Sequence, residues 1–74
     1  GGYINKSGKE VVPPKYDYVS DFHEGLAIVK LNGKGGYINK SGKEVVPLKY
    51  EYVTYFSEGL AAVKLNGKWG FISR

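Results

Sequence analysis

"LAIVKLNGKGGYINKSGKEVV", residues 26–46, decides how the rest of the chain is read. Asn32-Gly33 stands between two apolar runs, and a two-residue type I′ turn requires positive φ at both central positions, which Asn and Gly tolerate best. A hairpin closed there sets Leu31 opposite Lys34, Val29 opposite Gly36, Ile28 opposite Tyr37 and Ala27 opposite Ile38. Farther on, "NKSG" places Gly42 where a three-residue loop needs a left-handed residue before a bulge. That second turn sets Asn39 opposite Lys43 and Tyr37 opposite Val45. The stretch therefore predicts a three-stranded meander over Leu26–Leu31, Gly36–Asn39 and Glu44–Val46. Val29 and Ile38 fall on one face and Ile28 and Tyr37 on the other, the pattern of a sheet covered on both sides.

The same stretch occurs again. Residues 1–34 align without a gap on residues 35–68, with six differences, at 14/48, 17/51, 20/54, 21/55, 23/57 and 28/62. "WGFISR", residues 69–74, begins a third repeat, so that Trp69 occupies the place held by Gly35 and Gly1. Self-similarity at a fixed period of roughly 20–50 residues is the signature of solenoids, propellers and related arrays, which bury a core only by stacking about three or more units. The expected fold is all-β: a tandem array of three-stranded antiparallel meanders with a 34-residue period, propeller-like or solenoid-like. One domain is expected over 1–74, with repeats at 1–34 and 35–68 and a partial repeat at 69–74.

Between the meanders runs "PPKYDYVSDFHEG", residues 13–25. Pro13 and Pro14 lack backbone donors and are expected to end the third strand. Tyr16, Tyr18 and Phe22 supply apolar surface, and Gly25 suits a sharp turn into the next hairpin. The segment reads as an extended connector with one helical turn, folded over the meander. Five of the six differences between the repeats fall on it.

Composition bounds the function. With 74 residues a folded chain buries only about 60% of its unfolded surface. Cysteine is absent, which excludes disulfides and thiolate metal sites. No apolar run approaches the ~20 residues of a membrane span. The chain opens on Gly-Gly rather than Met and shows no signal-peptide pattern, which suggests a processed, excised or engineered segment and leaves the compartment unspecified. The net charge of +4 comes from lysines gathered at turn ends (Lys6, Lys9, Lys34, Lys40, Lys43, Lys68). The acids favour the connector (Asp17, Asp21, Glu24, Glu51, Glu58). Such a rim is ordinarily solvated, and it makes nucleic acid an unfavoured partner.

Catalytic patterns are missing. "NKSGK" holds the letters of a phosphate loop in the wrong order and without the leading glycine. Asn5-Lys6-Ser7 and Asn39-Lys40-Ser41 match glycosylation sequons but coincide with turns. His23 beside Ser20 and Asp21 suggests a triad, yet the second repeat has Ser57, Thr54 and Tyr55 there. One histidine and seven scattered carboxylates support neither metal ligation nor acid–base chemistry, so the reading is no enzyme, no metal and no cofactor.

"GKWGFIS", "GYINKSGKEVVP", "KYDYV" and "DFHEGLAIVKLNGK" together resemble the bacterial WG (KWG) β-repeat family over the whole chain. The resemblance implies a bacterial origin and β-rich tandem repeats acting as a scaffold or binding module, without catalysis. The chain departs from that pattern at Gly1 and Gly35, where the family carries tryptophan. A weaker similarity is to choline- and glucan-binding wall repeats, which also use "NGKW" hairpins but are shorter and richer in tryptophan.

Two function classes follow. The first is an interaction module whose partner is another protein or the chain itself. Strand Gly2–Asn5 has no preceding "LAxVKL" partner and "WGFIS" has no following "EVVP" partner, so the ends are complementary and head-to-tail assembly is expected. The second is a carbohydrate-binding module stacking sugars on Tyr16, Tyr18, Tyr50, Tyr52 and Trp69. In either case partner specificity is expected where the repeats differ, at Asp21/Tyr55 and His23/Ser57, on hairpins whose turns are held by Gly33, Gly42 and Gly67.

Overall fold

The computed structural model describes residues 15–74, and among these residues it contains seven strands and no helix. They are β1 (Tyr18–His23), β2 (Leu26–Leu31), β3 (Lys34–Asn39), β4 (Glu44–Tyr50), β5 (Tyr52–Val53), β6 (Leu60–Leu65) and β7 (Lys68–Ser73). Strands β1–β4 form one antiparallel sheet in chain order, and β5–β7 form a second. The expectations for Gly1, Gly2–Asn5, Pro13 and Pro14 lie outside the described residues.

The central hairpin has the register that its turn dictates. Leu31 pairs with Lys34, Val29 with Gly36, Ile28 with Tyr37 and Ala27 with Ile38, and β6–β7 reproduces this from Leu65–Lys68 to Ala61–Ile72. Asn32 and Gly33 have φ of 53° and 78°, and Asn66 and Gly67 have 52° and 77°. An acid from the connector secures each turn: Asn32 N–H donates to the Asp17 carboxylate, and Gly67 N–H donates to that of Glu51. The exchange of Asp17 for Glu51 thus keeps one function at two side-chain lengths.

At the second turn Gly42 has φ 83°, and the Asn39 side-chain oxygen accepts from the N–H groups of Ser41 and Lys43. Asn39 N–H bonds the Lys43 carbonyl as expected. The register then slips, and Tyr37 pairs with Val46 rather than Val45, because a bulge enters between Ile38 and Tyr37. Strand β4 also runs past Pro47 to Tyr50. It is an edge strand, where a missing N–H costs no ladder bond. Gly36 accommodates its bulged backbone: a Cβ there would stand 2.5 Å from the Val46 carbonyl oxygen.

The connector corrects the expectation of a helical turn. Residues 18–23 are strand β1, paired with β2 and bulged between Val19 and Phe22, so the first sheet has four strands rather than three. The buried Ser20 hydroxyl spans that bulge, accepting from Ile28 N–H and donating to the Asp21 carbonyl. In the second repeat Thr54 accepts from Ala62 N–H in the same way, but the strand shortens to Tyr52–Val53. The hydroxyl survives the Ser20/Thr54 exchange because the bulge needs an acceptor there.

Both faces of the first sheet are covered. Ala27, Val29 and Ile38 pack with Tyr16, while Ile28 and Tyr37 pack with Tyr50, Phe56, Ala61 and Val63 from the second repeat. One face of the β5–β7 sheet therefore closes over one face of β1–β4, and this junction is what each repeat contributes to its neighbour.

Candidate functional site

Open surface concentrates on the second sheet. Phe71 is the counterpart of Tyr37, one repeat apart, yet Tyr37 is 1% exposed and Phe71 is 76% exposed. Pairing of Ala62 with Phe71, Lys64 with Trp69 and Tyr52 with Lys64 places these side chains on one face, with exposed Leu60 beside them. Strand β7 is also an edge: β3 has β4 beyond it, whereas among the described residues nothing pairs with the outer side of β7. A free backbone edge beside an apolar face is a template for another strand.

On this face Trp69 lies across from Lys64 as the turn predicts. The cation–π contact falls elsewhere, because Lys64 Nζ lies 5.6 Å from the Tyr52 ring centroid. The indole stacks on Tyr52 at 6.1 Å and 26°. Lys30 over Tyr18 repeats the lysine–tyrosine arrangement in the first sheet.

Of the aromatic residues expected to form a platform, Tyr18, Tyr52 and Trp69 are exposed, but Tyr16 and Tyr50 are core residues. The register explains the split, since Tyr50 ends β4 opposite Gly35 and turns inward where glycine leaves room. The Tyr16 hydroxyl donates to Glu44 at 2.7 Å, and Lys15 lies 3.3 Å from the same carboxylate. Burial, then the Glu44 bond, pushes the Tyr16 pKa up to about 12, and that bond in turn holds Glu44 below the usual carboxylate range. Burial likewise pushes Tyr37 up to about 12, with its hydroxyl donating to the Thr54 carbonyl at 2.6 Å.

The positions where the repeats differ are joined rather than free. His23 stacks on Tyr55 with ring centroids 4.1 Å apart, across the boundary between repeats. Ser20 is committed to the β1 bulge, so Ser20, Asp21 and His23 do not assemble as a triad. Among the described residues no group of three or more His, Cys, Asp or Glu side chains is placed to hold a metal, and no helix is long and apolar enough to cross a membrane.

Glu24 is not singled out by the sequence, and it makes the most specific contact between repeats. Its carboxylate accepts from the N–H groups of Glu58 (2.6 Å) and Gly59 (2.9 Å), capping the tight turn before β6. That turn has φ of 52° and 80°, and Glu24-Gly25 has 54° and 81°. The available signal is that "EG" recurs at both places although Glu is a poor choice for positive φ.

The family model described as "WG containing repeat" matches residues 2–34 and again 36–69. No curated protein and no solved structure matches the chain.

Proposed function

The chain belongs to the WG containing repeat family, and from that premise we propose that it is a non-enzymatic β-repeat module that binds protein, copies of itself included. The observation that carries this reading is the contrast between equivalent strands: β3 is paired and covered by the next repeat, while β7 presents the same backbone edge and a bare aromatic face. A head-to-tail contact on such an edge closes into a propeller-like ring or extends as a solenoid-like filament, according to the rotation per chain. Sedimentation velocity on the 74-residue chain and on a variant lacking residues 69–74 tests it. Mass should rise with concentration only in the full chain, and a full chain that stays monomeric across the micromolar range overturns the assembly reading.

A second reading is favoured by one observation, the exposed and nearly parallel Tyr52–Trp69 pair, whose surface suits the apolar face of a sugar ring. Glycan-array binding that saturates and resists salt would support it. Loss of all glycan binding by the wild type would remove it.

A further inference from the structure

Four contacts join one repeat to the next inside the chain. Strand β3 pairs with β4. Gly36 receives the Val46–Pro47 backbone at a distance no Cβ permits. Tyr37 packs edge-on against Phe56, with ring centroids 4.8 Å apart. Glu24 caps the Glu58-Gly59 turn.

Each donor in this set has a counterpart one repeat later that stays open among the described residues. Gly70 stands for Gly36, and a Cβ there meets nothing within 4 Å. Phe71 stands for Tyr37 and is exposed. Glu58 stands for Glu24, and among the described residues its exposed carboxylate caps no turn. Each acceptor has a counterpart one repeat earlier in the same sequence. Glu10–Tyr16 matches Glu44–Tyr50, and Phe22 matches Phe56. The Glu24-Gly25 turn matches Glu58-Gly59 in both φ values, so it presents its two N–H groups in the geometry that accepts a carboxylate.

Resting on the module reading above, we propose that the free edge and open face of the β5–β7 sheet dock a second copy of this chain in the register of the internal junction. Strand β7 pairs with Glu10–Tyr16 of the second copy, Phe71 meets its Phe22, and Glu58 caps its Glu24-Gly25 turn. The occupant is a second copy because the four sites match four features of this sequence in order and spacing, and because the internal junction shows the same features already mated. Trp69 is the largest departure: it stands where the internal junction holds Gly35, so the intermolecular contact is looser than the internal one.

Two substitutions on the open side test the register without touching the internal junction. Glu58→Ala removes the cap while leaving the Glu58 N–H that Glu24 uses. Gly70→Ala places a Cβ where a second copy's backbone would approach, in space that is open in the single chain. With wild type, Glu58→Ala and Gly70→Ala compared by sedimentation velocity, each variant should weaken self-association about tenfold or more, with the melting temperature of the dilute protein unchanged. Association of the wild type that is insensitive to either substitution overturns this register and leaves the module reading standing. A wild type that remains monomeric overturns both.

Discussion

The close approach at Gly36 yields a paired prediction, because Gly36 and Gly70 are the same position in consecutive repeats. An alanine Cβ at 36 would lie 2.5 Å from the Val46 carbonyl oxygen and 2.8 Å from that of Pro47, against an ordinary contact of 3.4 Å or more, an overlap of 0.9 Å at the first. Both obstacles are backbone, so relief requires β4 to move, and β4 carries Tyr50 into the core between the sheets. Overpacking of this kind costs typically 1–3 kcal/mol, and the upper part of that range applies where backbone must shift. For a chain of this size each 1 kcal/mol corresponds to roughly 4–8 °C in melting temperature, so Gly36→Ala should lower it by roughly 10–20 °C. Gly70→Ala meets no atom within 4 Å. Replacing a strand glycine there should be neutral or stabilise by up to about 1 kcal/mol through lost backbone freedom in the unfolded chain. Thermal and urea unfolding of both variants at low concentration would measure the difference. Equal effects at the two positions would refute the assignment of one strand as covered and its counterpart as open.

Tyr37→Phe deletes the hydroxyl that bonds the Thr54 carbonyl and should cost about 1–3 kcal/mol in urea unfolding, since a part-buried carbonyl is left without its donor. Gly67→Val forces a β-branched residue into φ 77° and should destabilise by more than the ~0.5 kcal/mol of an ordinary surface change; an unchanged unfolding curve would contradict the hairpin. Tyr16 and Tyr37 have folded pKa values near 12 against 10.0, so each holds its proton more tightly when folded. Their contribution is complete below pH 10 and lost as pH rises towards 12, about 3 kcal/mol apiece at 1.36 kcal/mol per unit. The chain should unfold cooperatively within that window, with two tyrosines titrating late by tyrosinate absorbance. Titration of all seven near 10 would show that the two rings are not buried.

Local turn chemistry makes the hairpins legible. Asn-Gly admits few geometries, and once the two-residue loop is placed every cross-strand pair from Leu31–Lys34 to Ala27–Ile38 follows. The alternation of Ile28 and Val29 to opposite faces also announces a sheet covered on both sides. Strand β1 is not legible, because its pairing with β2 is set by a hydroxyl bridging a bulge rather than by periodicity. Pro47 misleads for a related reason: a proline ends an inner strand but is tolerated on an edge, and edge position is a property of the assembled sheet. Of the candidate site, Tyr52 and Trp69 are found by their chemistry. Tyr16 and Tyr50 carry the same chemistry and are buried, because exposure depends on which repeat lies above. Glu24 escapes notice since a carboxylate capping two N–H groups 34 and 35 positions away leaves no local pattern.

The exchange of Gly35 for Trp69 separates the internal junction from the one proposed between chains. A Cβ at Gly35 would stand 3.1 and 3.2 Å from the two Val53 methyls, so the position is already tight where the second repeat packs. At 69 the indole has room because nothing described covers it, and it turns aside onto Tyr52. If a second copy docks in the internal register, its Val19, the counterpart of Val53, approaches Trp69, and the indole must be displaced for the face to close. Trp69→Gly should therefore tighten self-association about tenfold, even though the dilute chain loses the Tyr52 stack and gains a strand glycine, at about 1 kcal/mol each. Sedimentation velocity and thermal unfolding on one sample set would show the two effects moving in opposite directions. Loss of association in Trp69→Gly would mean that the indole anchors the contact, and a junction patterned on Gly35 would have to be abandoned.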